Sequence, residues 1–318
     1  MSTHAPQRAL RPAFVVGSLV MACCARVARC PEPGESLQAL DFIMEAGGKG
    51  FNVALALHRL GMQVDGLFAL GDDPAGDFMR RAFLASGLDE GLIRTVDARS
   101  GAGVGLIEAD GDNRIAVYPG ANALLTADHV AAVADHVRGA SIAFAQFEAP
   151  DAPIAAAFSL ARAAGVPTML NPSPYRPIPP EILGATDMLV VNEREAAALA
   201  AGRIGDGGDE GLAASLAEAG VGTLIVTRGS KGAAAWRGGV RVDEPGFAVE
   251  AVDSIGAGDA FAGAFAVAAA HGLGLAAALR WGCAAGAITV SRLGLVEAVP
   301  DKEELAALLG PEDGRSFG

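Results

Sequence analysis

The stretch "VDSIGAGDAFAGAFAVAAAHG", residues 252–272, decides the fold of this chain. A glycine-rich loop at residues 256–258 runs directly into an alanine-rich helical segment that ends near His271. The first N–H groups of such a helix have no acceptor within the helix, and the helix dipole places partial positive charge behind them. The pattern therefore predicts an anion-binding site at the start of this helix, formed by Gly256, Ala257 and Gly258.

Asp259 follows the loop and stands in the first turn of the same helix. A carboxylate there can cap backbone amides, or it can remove a proton from a group beside the bound anion. The same residues are compatible with a capped helix start after a tight turn and with a poor dinucleotide-binding fingerprint. A dehydrogenase is disfavoured because this turn lies near the C-terminus, outside a first βαβ unit.

A second glycine-rich stretch, "EAGGKGFNVALALHRLG", occupies residues 45–61. Its paired glycines allow the backbone to approach a ligand closely, and Lys49 adds a positive charge. Asn52 is predicted to begin a helix whose apolar face packs on a sheet, and a glycine turn with Asn52 as the N-cap explains the same residues. The G-x-x-x-x-G-K-[ST] pattern is missing, which excludes a P-loop.

Strand-like apolar runs alternate with helical segments along the chain, beginning with "FVVGSLVM" and continuing through "VDGLFALG", "SIAFAQF", "DMLVVN" and "TLIVT". This alternation predicts an α/β fold with a mostly parallel sheet covered by helices on both faces. Residues 22–46 and 101–118 break the pattern and predict a small β-layer beside the main sheet, with a hairpin turn at Asp110-Gly111. A further β-region is expected after Val226.

The composition excludes several classes of partner. Among 318 residues, 24 are basic and 37 acidic, and the net charge of −13 disfavours nucleic acid and anionic membranes. The four cysteines have no paired metal-ligand spacing, so a reduced compartment is expected.

The N-terminal stretch permits two interpretations. Arg8 and Arg11 precede an apolar run that ends in "VMAC", as in an export signal with a lipidated Cys23. The alternative is the first buried strand of a cytoplasmic enzyme. Cleavage at Cys23 would remove the first strand of the predicted sheet, so we expect "FVVGSLVM" to be a core strand and the protein to be cytoplasmic.

The two glycine-rich stretches, "GGKGFN" and "DSIGAGDAFAGA", resemble the N-terminal and C-terminal signatures of the PfkB family of carbohydrate kinases. Six further motifs lie between them in the order typical of the ribokinases of this family: "GDDPAG", "PGANALL", "QFEAP", "NPSP", "NEREA" and "TRGSKG". The resemblance implies a ribokinase-like, three-layer αβα sandwich around a mostly parallel central sheet, with a small β-sheet lid. It implies one kinase unit over residues 1–318, with a core at about 12–20, 47–95 and 119–310, a β-lid at about 21–46 and 96–118, and flexible ends at 1–11 and 311–318.

The resemblance also implies an activity, the transfer of the γ-phosphate of ATP to a hydroxyl of a small pentose or hexose. Asp259 matches the general base of the family, and residues 256–258 match the anion hole that stabilises the transferring phosphoryl group. The positions that match the sugar pocket are Gly48, Lys49, Asn52, Glu148 and Asp253.

The expected cofactors are ATP, Mg²⁺ and K⁺. Asn192 and Glu195 match the N-x-x-E motif, in which Glu195 helps to hold Mg²⁺ through water; an isolated glutamate at such a position is more commonly an exposed acid in the first turn of a helix. The positions that match the ATP cleft are Asn192, Thr227, Gly229, Ser230, Gly232 and Gly258. The positions that match the monovalent-cation site, mostly through backbone carbonyls, are Asp253, Ile255, Thr289, Arg292, Gly294 and Ala298.

The chain departs from the family pattern at Val20 and Ala22, where ribokinases commonly have an Asn and an Asp that bind sugar hydroxyls. A hydroxyl buried there without a partner would cost about 1–3 kcal/mol. A sugar acid that meets Arg26 and Arg29, a nucleoside, and a non-catalytic sensor of the same fold therefore stay open as alternatives. Since family relatives often pair through the lid, a homodimer is expected.

Overall fold

The computed structural model describes residues 11–108, 113–203 and 207–310. The strands of the described residues are, in chain order, β1 (Ala13–Val16), β2 (Val20–Val27), β3 (Asp41–Gly47), β4 (Val64–Leu70), β5 (Ile93–Thr95), β6 (Gly101–Glu108), β7 (Asn113–Tyr118), β8 (Ile142–Gln146), β9 (Thr168–Asn171), β10 (Met188–Asn192), β11 (Thr223–Thr227), β12 (Ala233–Arg237) and β13 (Val240–Glu244). The α-helices are α1 (Lys49–Arg59), α2 (Pro74–Ala85), α3 (Ala127–Ala131), α4 (Ala134–Gly139), α5 (Asp151–Ala163), α6 (Pro180–Leu183), α7 (Glu193–Ala201), α8 (Gly208–Glu218), α9 (Ala257–Ala270), α10 (Leu275–Val290) and α11 (Lys302–Leu309).

Nine strands form the main sheet, in the order β13-β12-β11-β10-β9-β8-β1-β4-β5. From β11 to β5 every neighbouring pair is parallel, whereas β12 and β13 are antiparallel additions at one edge. Strands buried on both faces need apolar side chains throughout, and β1, with the sequence "AFVV", is buried at every position.

Helices cover both faces of this sheet. In β1, Ala13 and Val15 contribute to an apolar core that includes residues of α1, α9 and α10, whereas Phe14 and Val16 contribute to a second core that includes residues of α5, α7 and α8. Since successive side chains of a strand point to opposite faces, β1 contributes to both cores. The arrangement has three layers, and the predicted αβα fold with a mostly parallel sheet is confirmed.

The remaining four strands form a separate small sheet in the order β3-β2-β6-β7. Strand β2 pairs antiparallel with β3 and parallel with β6, and β6 pairs antiparallel with β7. One register row contains Ala22, Glu45, Gly103 and Val117, whose side chains share one face. The backbone N–H of Leu295, in the loop after α10, donates to Glu45. The side chains at positions 20, 22 and 24 lie on this same face. We call it the inner face because Glu45 on it contacts the loop after α10.

Two predictions about the strands are modified. "FVVGSLVM" is not one core strand, because β1 ends at Val16 and β2 begins in the small sheet at Val20. The backbone of α1 approaches so closely at this break that a Cβ on Gly50 would lie 2.1 Å from the backbone nitrogen of Ser18. The β-region after Val226 extends the main sheet as β12 and β13, and the predicted turn at Asp110-Gly111 lies outside the described residues.

Within the part of the chain that the structure describes, no helix combines the length and the apolar character needed to cross a bilayer. The apolar stretch from Asp259 to Leu279 is divided between α9 and α10. Nearly all of α9 is buried between its neighbours, and this burial explains its alanine-rich composition.

Candidate active site

The predicted site residues gather where the parallel strands of the main sheet end. Ser18 follows β1, Glu148 follows β8, Asn192 ends β10 and Thr227 ends β11, all at the carboxyl edge of the sheet. Ligands of open α/β sheets bind in the crevice at this edge. The small sheet continues from the same edge, so its inner face lies beside the crevice.

The two glycine-rich stretches meet because helices α1 and α9 are packed against each other. A Cβ on Gly263 of α9 would lie 2.6 Å from the Cβ of Ala56 in α1, so the helices are closer than a pair of alanines would allow. One turn earlier in both helices, Asn52 Nδ2 donates to Asp259 Oδ2 at 2.8 Å. Asn52 was predicted to contact the sugar and to begin the helix; it lies in the first turn of a helix that begins at Lys49, and its amide is bound to Asp259.

Asp259 is the third residue of α9, and only 5% of its surface is exposed. Its second oxygen, Oδ1, lies 3.7 Å from Lys49 Nζ. The Asp259 carboxylate raises the pKa of Lys49, and Glu148 and Glu195 act in the same direction, whereas burial of the lysine opposes them. The site therefore holds a carboxylate that is oriented by an amide and faces an ammonium group.

The N-terminus of α9 has the backbone geometry of an anion site. Gly256 is the N-cap, with a left-handed φ of 80° that favours glycine. Gly258 and Asp259 are the second and third helical residues, so their N–H groups have no acceptor within the helix. Nothing lies within 4 Å of a Cβ built on Gly258, which is open to the cleft. The N–H of Ala257, predicted to serve with them, makes a long 3.5 Å hydrogen bond to the Ser254 carbonyl.

A buried hydrogen-bond network fixes the other loop, at residues 48–50. Glu148 Oε2 accepts from Ser18 Oγ at 2.6 Å and from the Lys49 N–H at 2.8 Å. Ser18 Oγ in turn accepts from the Gly50 N–H, and Gln146 Nε2 donates to the Lys49 carbonyl at 2.8 Å. Ser18 and Gln146 were missed, although the polar "GS" inside an apolar run and the "QFE" at a strand end were visible signals.

A cavity of about 320 Å³ lies beside Gly258 and contains all but one of the predicted nucleotide residues in its walls. The predicted residues that line it are Thr227, Gly229, Ser230, Gly232 and Gly258. Its other walls, which were not predicted as a group, include the apolar residues Phe247, Val249, Phe261, Cys283 and Val290. Burial raises the pKa of the Cys283 thiol to about 12, with a smaller effect of Glu244, so this side chain is an uncharged part of the wall.

Asn192 and Glu195 form a capping box at the start of α7. Asn192 Oδ1 accepts from the Glu195 N–H, and Glu195 Oε2 accepts from the Asn192 N–H, both at 2.9 Å. Asn192 is not among the residues that line the cavity. Glu195 is 7% exposed, unlike an ordinary first-turn acid, and its charge acts on Lys49. The capping box uses Oε2 and leaves Oε1 of Glu195 outside it.

The residues predicted for a monovalent cation lie on two adjoining segments. The N–H groups of Val252 and Asp253 both donate to the Val290 carbonyl, which joins residues 253–255 to the end of α10. Asp253 Oδ1 accepts from the Ile255 N–H at 3.0 Å. The other predicted positions, on the α10 side, are Thr289, Arg292, Gly294 and Ala298. The guanidinium of Arg292 is bound to Glu304 at 2.6 Å, and the Thr289 carbonyl accepts from the Arg292 N–H.

Comparison with known proteins assigns this architecture to a family. The model of the pfkB family carbohydrate kinases matches residues 12–302. A ribokinase of Haemophilus influenzae is 32% identical over 281 residues, which cover 87% of this chain and 92% of the relative. The ribokinase structure of Thermotoga maritima superimposes with a TM-score of 0.87 and 30% identity, and covers 94% of this chain and 99% of that one. An Arabidopsis thaliana ribokinase complexed with ribose and ATP gives a TM-score of 0.84 and 30% identity over 94% of this chain and 99% of that one.

Proposed function

Because the chain belongs to the pfkB family of carbohydrate kinases and is an ATP-dependent sugar kinase of the ribokinase type, we propose that it phosphorylates a free, uncharged pentose, with ribose as the first candidate. The observation that carries the proposal is the arrangement of Asp259, Asn52 and Lys49 at the N-terminus of α9. It combines a buried base with a donor that orients it, a positive charge and unpaired amides.

In the proposed reaction, Asp259 takes the proton of a sugar hydroxyl while the hydroxyl oxygen attacks the γ-phosphorus of ATP. The new O–P bond forms as the bond between the γ-phosphorus and the bridging oxygen breaks, and ADP leaves. The amides of Gly258 and Asp259 and the charge of Lys49 stabilise the negative charge of the transferring group. Asn52 keeps the base turned toward the crevice.

We propose that Glu195 and the carbonyl-rich loop around Gly294 hold the metal ions. Glu195 fits a water-mediated Mg²⁺ because one of its oxygens is outside the capping box and its side chain is buried at the crevice. Mg²⁺ would supply charge neutralisation between the phosphates. Potassium between residues 253–255 and 289–298 is compatible with the hydrogen bonds that join these segments, and would bind chiefly to backbone carbonyls.

The charges around the crevice favour a neutral sugar. Glu148, Asp253 and Asp259 would all repel an anionic substrate, whereas they can accept hydrogen bonds from hydroxyls. Arg29, a candidate partner of a sugar acid, is bound by Glu35 in a bidentate pair with distances of 2.5 and 2.7 Å. This pairing weakens the sugar-acid alternative.

A second candidate substrate is a deoxypentose. Val20 is buried and Ala22 offers only a methyl group on the inner face of the small sheet. A sugar that lacks a hydroxyl where it meets these two side chains would leave no polar group unpaired, and would then be preferred to the fully hydroxylated sugar.

We also propose that the small sheet acts as a lid and that two copies pair through it. On the face opposite the inner face, large apolar side chains are about half or more exposed, which is unusual for a surface that stays in water. They are Phe42, Met44, Val104 and Tyr118, with exposures of 62, 48, 62 and 54%. The requirement for ATP supports a cytoplasmic location.

The test is ADP formation by purified protein with Mg·ATP and K⁺ and a panel of ribose, 2-deoxyribose, hexoses, sugar acids and nucleosides. Turnover is expected with a neutral sugar. Asp259→Asn should retain ATP binding but lose at least about 100-fold in kcat, whereas the exposed Asp135→Asn should leave kcat unchanged. Protein that binds ATP but phosphorylates nothing in the panel would overturn the sugar assignment, and near-normal activity of Asp259→Asn would exclude Asp259 as the base.

A further inference from the structure

The inner face of the small sheet carries one charged side chain near the crevice. Three register rows lie nearest to the paired glycines of the first signature. They consist of Val20, Gly47 and Gly101; of Ala22, Glu45, Gly103 and Val117; and of Cys24, Ile43, Gly105 and Ile115. All of these residues except Glu45 are apolar, glycine or cysteine. A sugar hydroxyl that turns toward this sheet therefore has one strong acceptor available, the Glu45 carboxylate.

The Glu45 side chain is held at the crevice by the loop after α10. Glu45 Oε2 accepts from the Leu295 N–H at 3.1 Å. Gly294 adopts a φ of 95°, and a Cβ there would lie 2.8 Å from Glu45 Oε1. Because Gly294 has no side chain, there is room beside it for the Glu45 carboxylate. One oxygen is anchored, and each carboxylate oxygen can accept more than one hydrogen bond.

Leu295 connects this carboxylate to both signature loops. A Cβ on Gly47 would lie 2.9 Å from Leu295 Cδ1, and a Cβ on Gly256 would lie 3.7 Å from Leu295 Cδ2. The leucine side chain thus lies between the glycine pair that precedes α1 and the N-cap of α9. Glu45, which binds the backbone of the same leucine, is two residues from Gly47 and is connected through Leu295 to the N-cap of α9.

The charges of Glu45 and Asp253 both reach Cys24. Burial raises the pKa of Cys24, and the charges of Glu45 and Asp253 both add to this increase. Cys24 is on the inner face, one register row from Glu45, so both charges act on a residue of this face.

We infer that Glu45 is a substrate-positioning and specificity-determining residue, which accepts a hydrogen bond from a hydroxyl of the sugar while Leu295 holds its other oxygen. The inference rests on the proposed sugar-kinase function. It places the contact with the sugar hydroxyl on β3, because at this register row the neighbouring strand β2 has only the methyl group of Ala22. It also gives the pocket a further negative charge, which disfavours sugar acids and sugar phosphates.

The register provides a direct test by relocating the carboxylate. Ala22 and Glu45 are directly opposite in an antiparallel pair, where Cβ atoms lie about 4.5–5.5 Å apart. A Cβ on Gly47 would lie 3.8 Å from the Cβ of Ala22, so position 22 is at the same end of the crevice. An aspartate at position 22 would therefore place a carboxylate close to the position that Glu45 occupies.

The experiment compares steady-state kinetics of Glu45→Gln, Glu45→Ala and the double variant Ala22→Asp/Glu45→Ala, with the sugar that the wild-type protein phosphorylates best. Glu45→Gln retains an acceptor for Leu295 and loses the charge. Asp41→Asn, at the exposed end of the same strand, is the control and should match the wild type. Both single Glu45 variants should raise KM for the sugar by about 10- to 100-fold, as for a lost hydrogen bond to a charged acceptor, with KM for ATP within about 3-fold of wild type. KM for the sugar should be at least about 5-fold lower in the double variant than in Glu45→Ala.

A wild-type-like KM for the sugar in Glu45→Ala would overturn the inference while leaving the kinase assignment intact, because turnover would still be seen. A parallel rise in KM for both substrates, with a lowered thermal midpoint and no recovery in the double variant, would assign Glu45 to loop structure and also overturn it. Absence of turnover in the wild-type protein would instead be a failure of the proposed function.

Discussion

The contact between α1 and α9 allows a test of whether the position of the base depends on helix packing. Gly263→Ala adds a methyl group whose carbon would lie 2.6 Å from the Cβ of Ala56, whereas ordinary contact begins at 3.4 Å. The helices must separate locally by about 0.8 Å to relieve this overlap. Transmitted over one turn, the shift would lengthen the 2.8 Å bond between Asn52 and Asp259 to about 3.6 Å, at which the hydrogen bond is lost.

We therefore expect kcat of Gly263→Ala to fall by about 10- to 100-fold, because a misplacement of about 1 Å at a reacting group costs up to about 10²-fold. Overpacking costs about 1–3 kcal/mol, and the replacement of a helical glycine by alanine recovers about 1 kcal/mol. The net loss of stability should stay below about 2 kcal/mol, so the variant should fold. Initial rates of ADP formation with saturating sugar and ATP, together with the thermal midpoint, measure both quantities.

The matched control is the double variant Ala56→Gly/Gly263→Ala, which moves the methyl group from one helix to the other. The clash disappears, and the remaining neighbours of the new Cβ, Leu57 N and Val53 O, are at 3.5 Å, an ordinary contact distance. Its kcat should return to within about 3-fold of wild type. An unchanged kcat in the single variant, or a double variant as slow as the single one, would refute the idea that this contact sets the position of Asp259.

Three further perturbations test the electrostatics, the cavity and the capping. Asp259 raises the pKa of Lys49, so the stabilising attraction between them is fully present below the ordinary lysine pKa near 10.5 and is lost only as the pH rises through the higher pKa of the folded state. The difference in thermal midpoint between wild type and Lys49→Met should therefore be constant from pH 6 to about 9.5. A difference that collapses between pH 7 and 9 would contradict this. Cys283→Phe should fill part of the cavity of about 320 Å³, raise KM for ATP at least about 10-fold and leave KM for the sugar unchanged. If wild type and variant had the same KM for ATP, this would argue against nucleotide binding in the cavity. Asp73 caps α2 by accepting a hydrogen bond from the Gly76 N–H. Burial would raise the pKa of Asp73, but the hydrogen bonds from Ser100 and Gly76 outweigh it, so the pKa is lowered. Asp73→Ala should therefore lower the free energy of unfolding, measured with urea, by about 1 kcal/mol at pH 7 and by less as the pH falls below about 3.8. A loss independent of pH would contradict the role of the charge.

The sequence predicts most of the fold because the deciding signals are local. Parallel strands buried on both faces produce short apolar runs, and the helices between them follow a regular alternation. The small β-layer was predicted from the polar, turn-rich composition of residues 22–46 and from the two short strands at residues 101–118. The helix start at α9, with glycine at its N-cap, was also predicted locally, since it depends on three consecutive residues and the helix that follows them.

Local patterns were insufficient where a tertiary contact decided the outcome. The break of the first apolar run after Val16 results from the approach of α1 to the backbone at Ser18, which no composition signal encodes. Ser18 and Glu148 are 130 positions apart, and Asn52 and Asp259 are 207 apart. Whether these side chains contact one another depends on the order of the strands in the sheet. The resemblance therefore matched Asn52 to the sugar pocket but did not show that its amide is bound to Asp259.

The first turn of α9 joins the two halves of the site, and this explains why separate substitutions should affect separate substrates. Gly258 and Phe261 line the cavity proposed for the nucleotide, whereas Asp259, between them in sequence, is directed toward Asn52. Successive residues of a helix point in directions about 100° apart, so in the proposed reaction one rigid turn would present amides to the phosphate and a carboxylate to the hydroxyl without any hinge between them. A change in the cavity wall therefore alters the affinity for nucleotide alone, while a displacement of the whole helix, as in Gly263→Ala, alters the geometry between the two reactants and should appear in kcat.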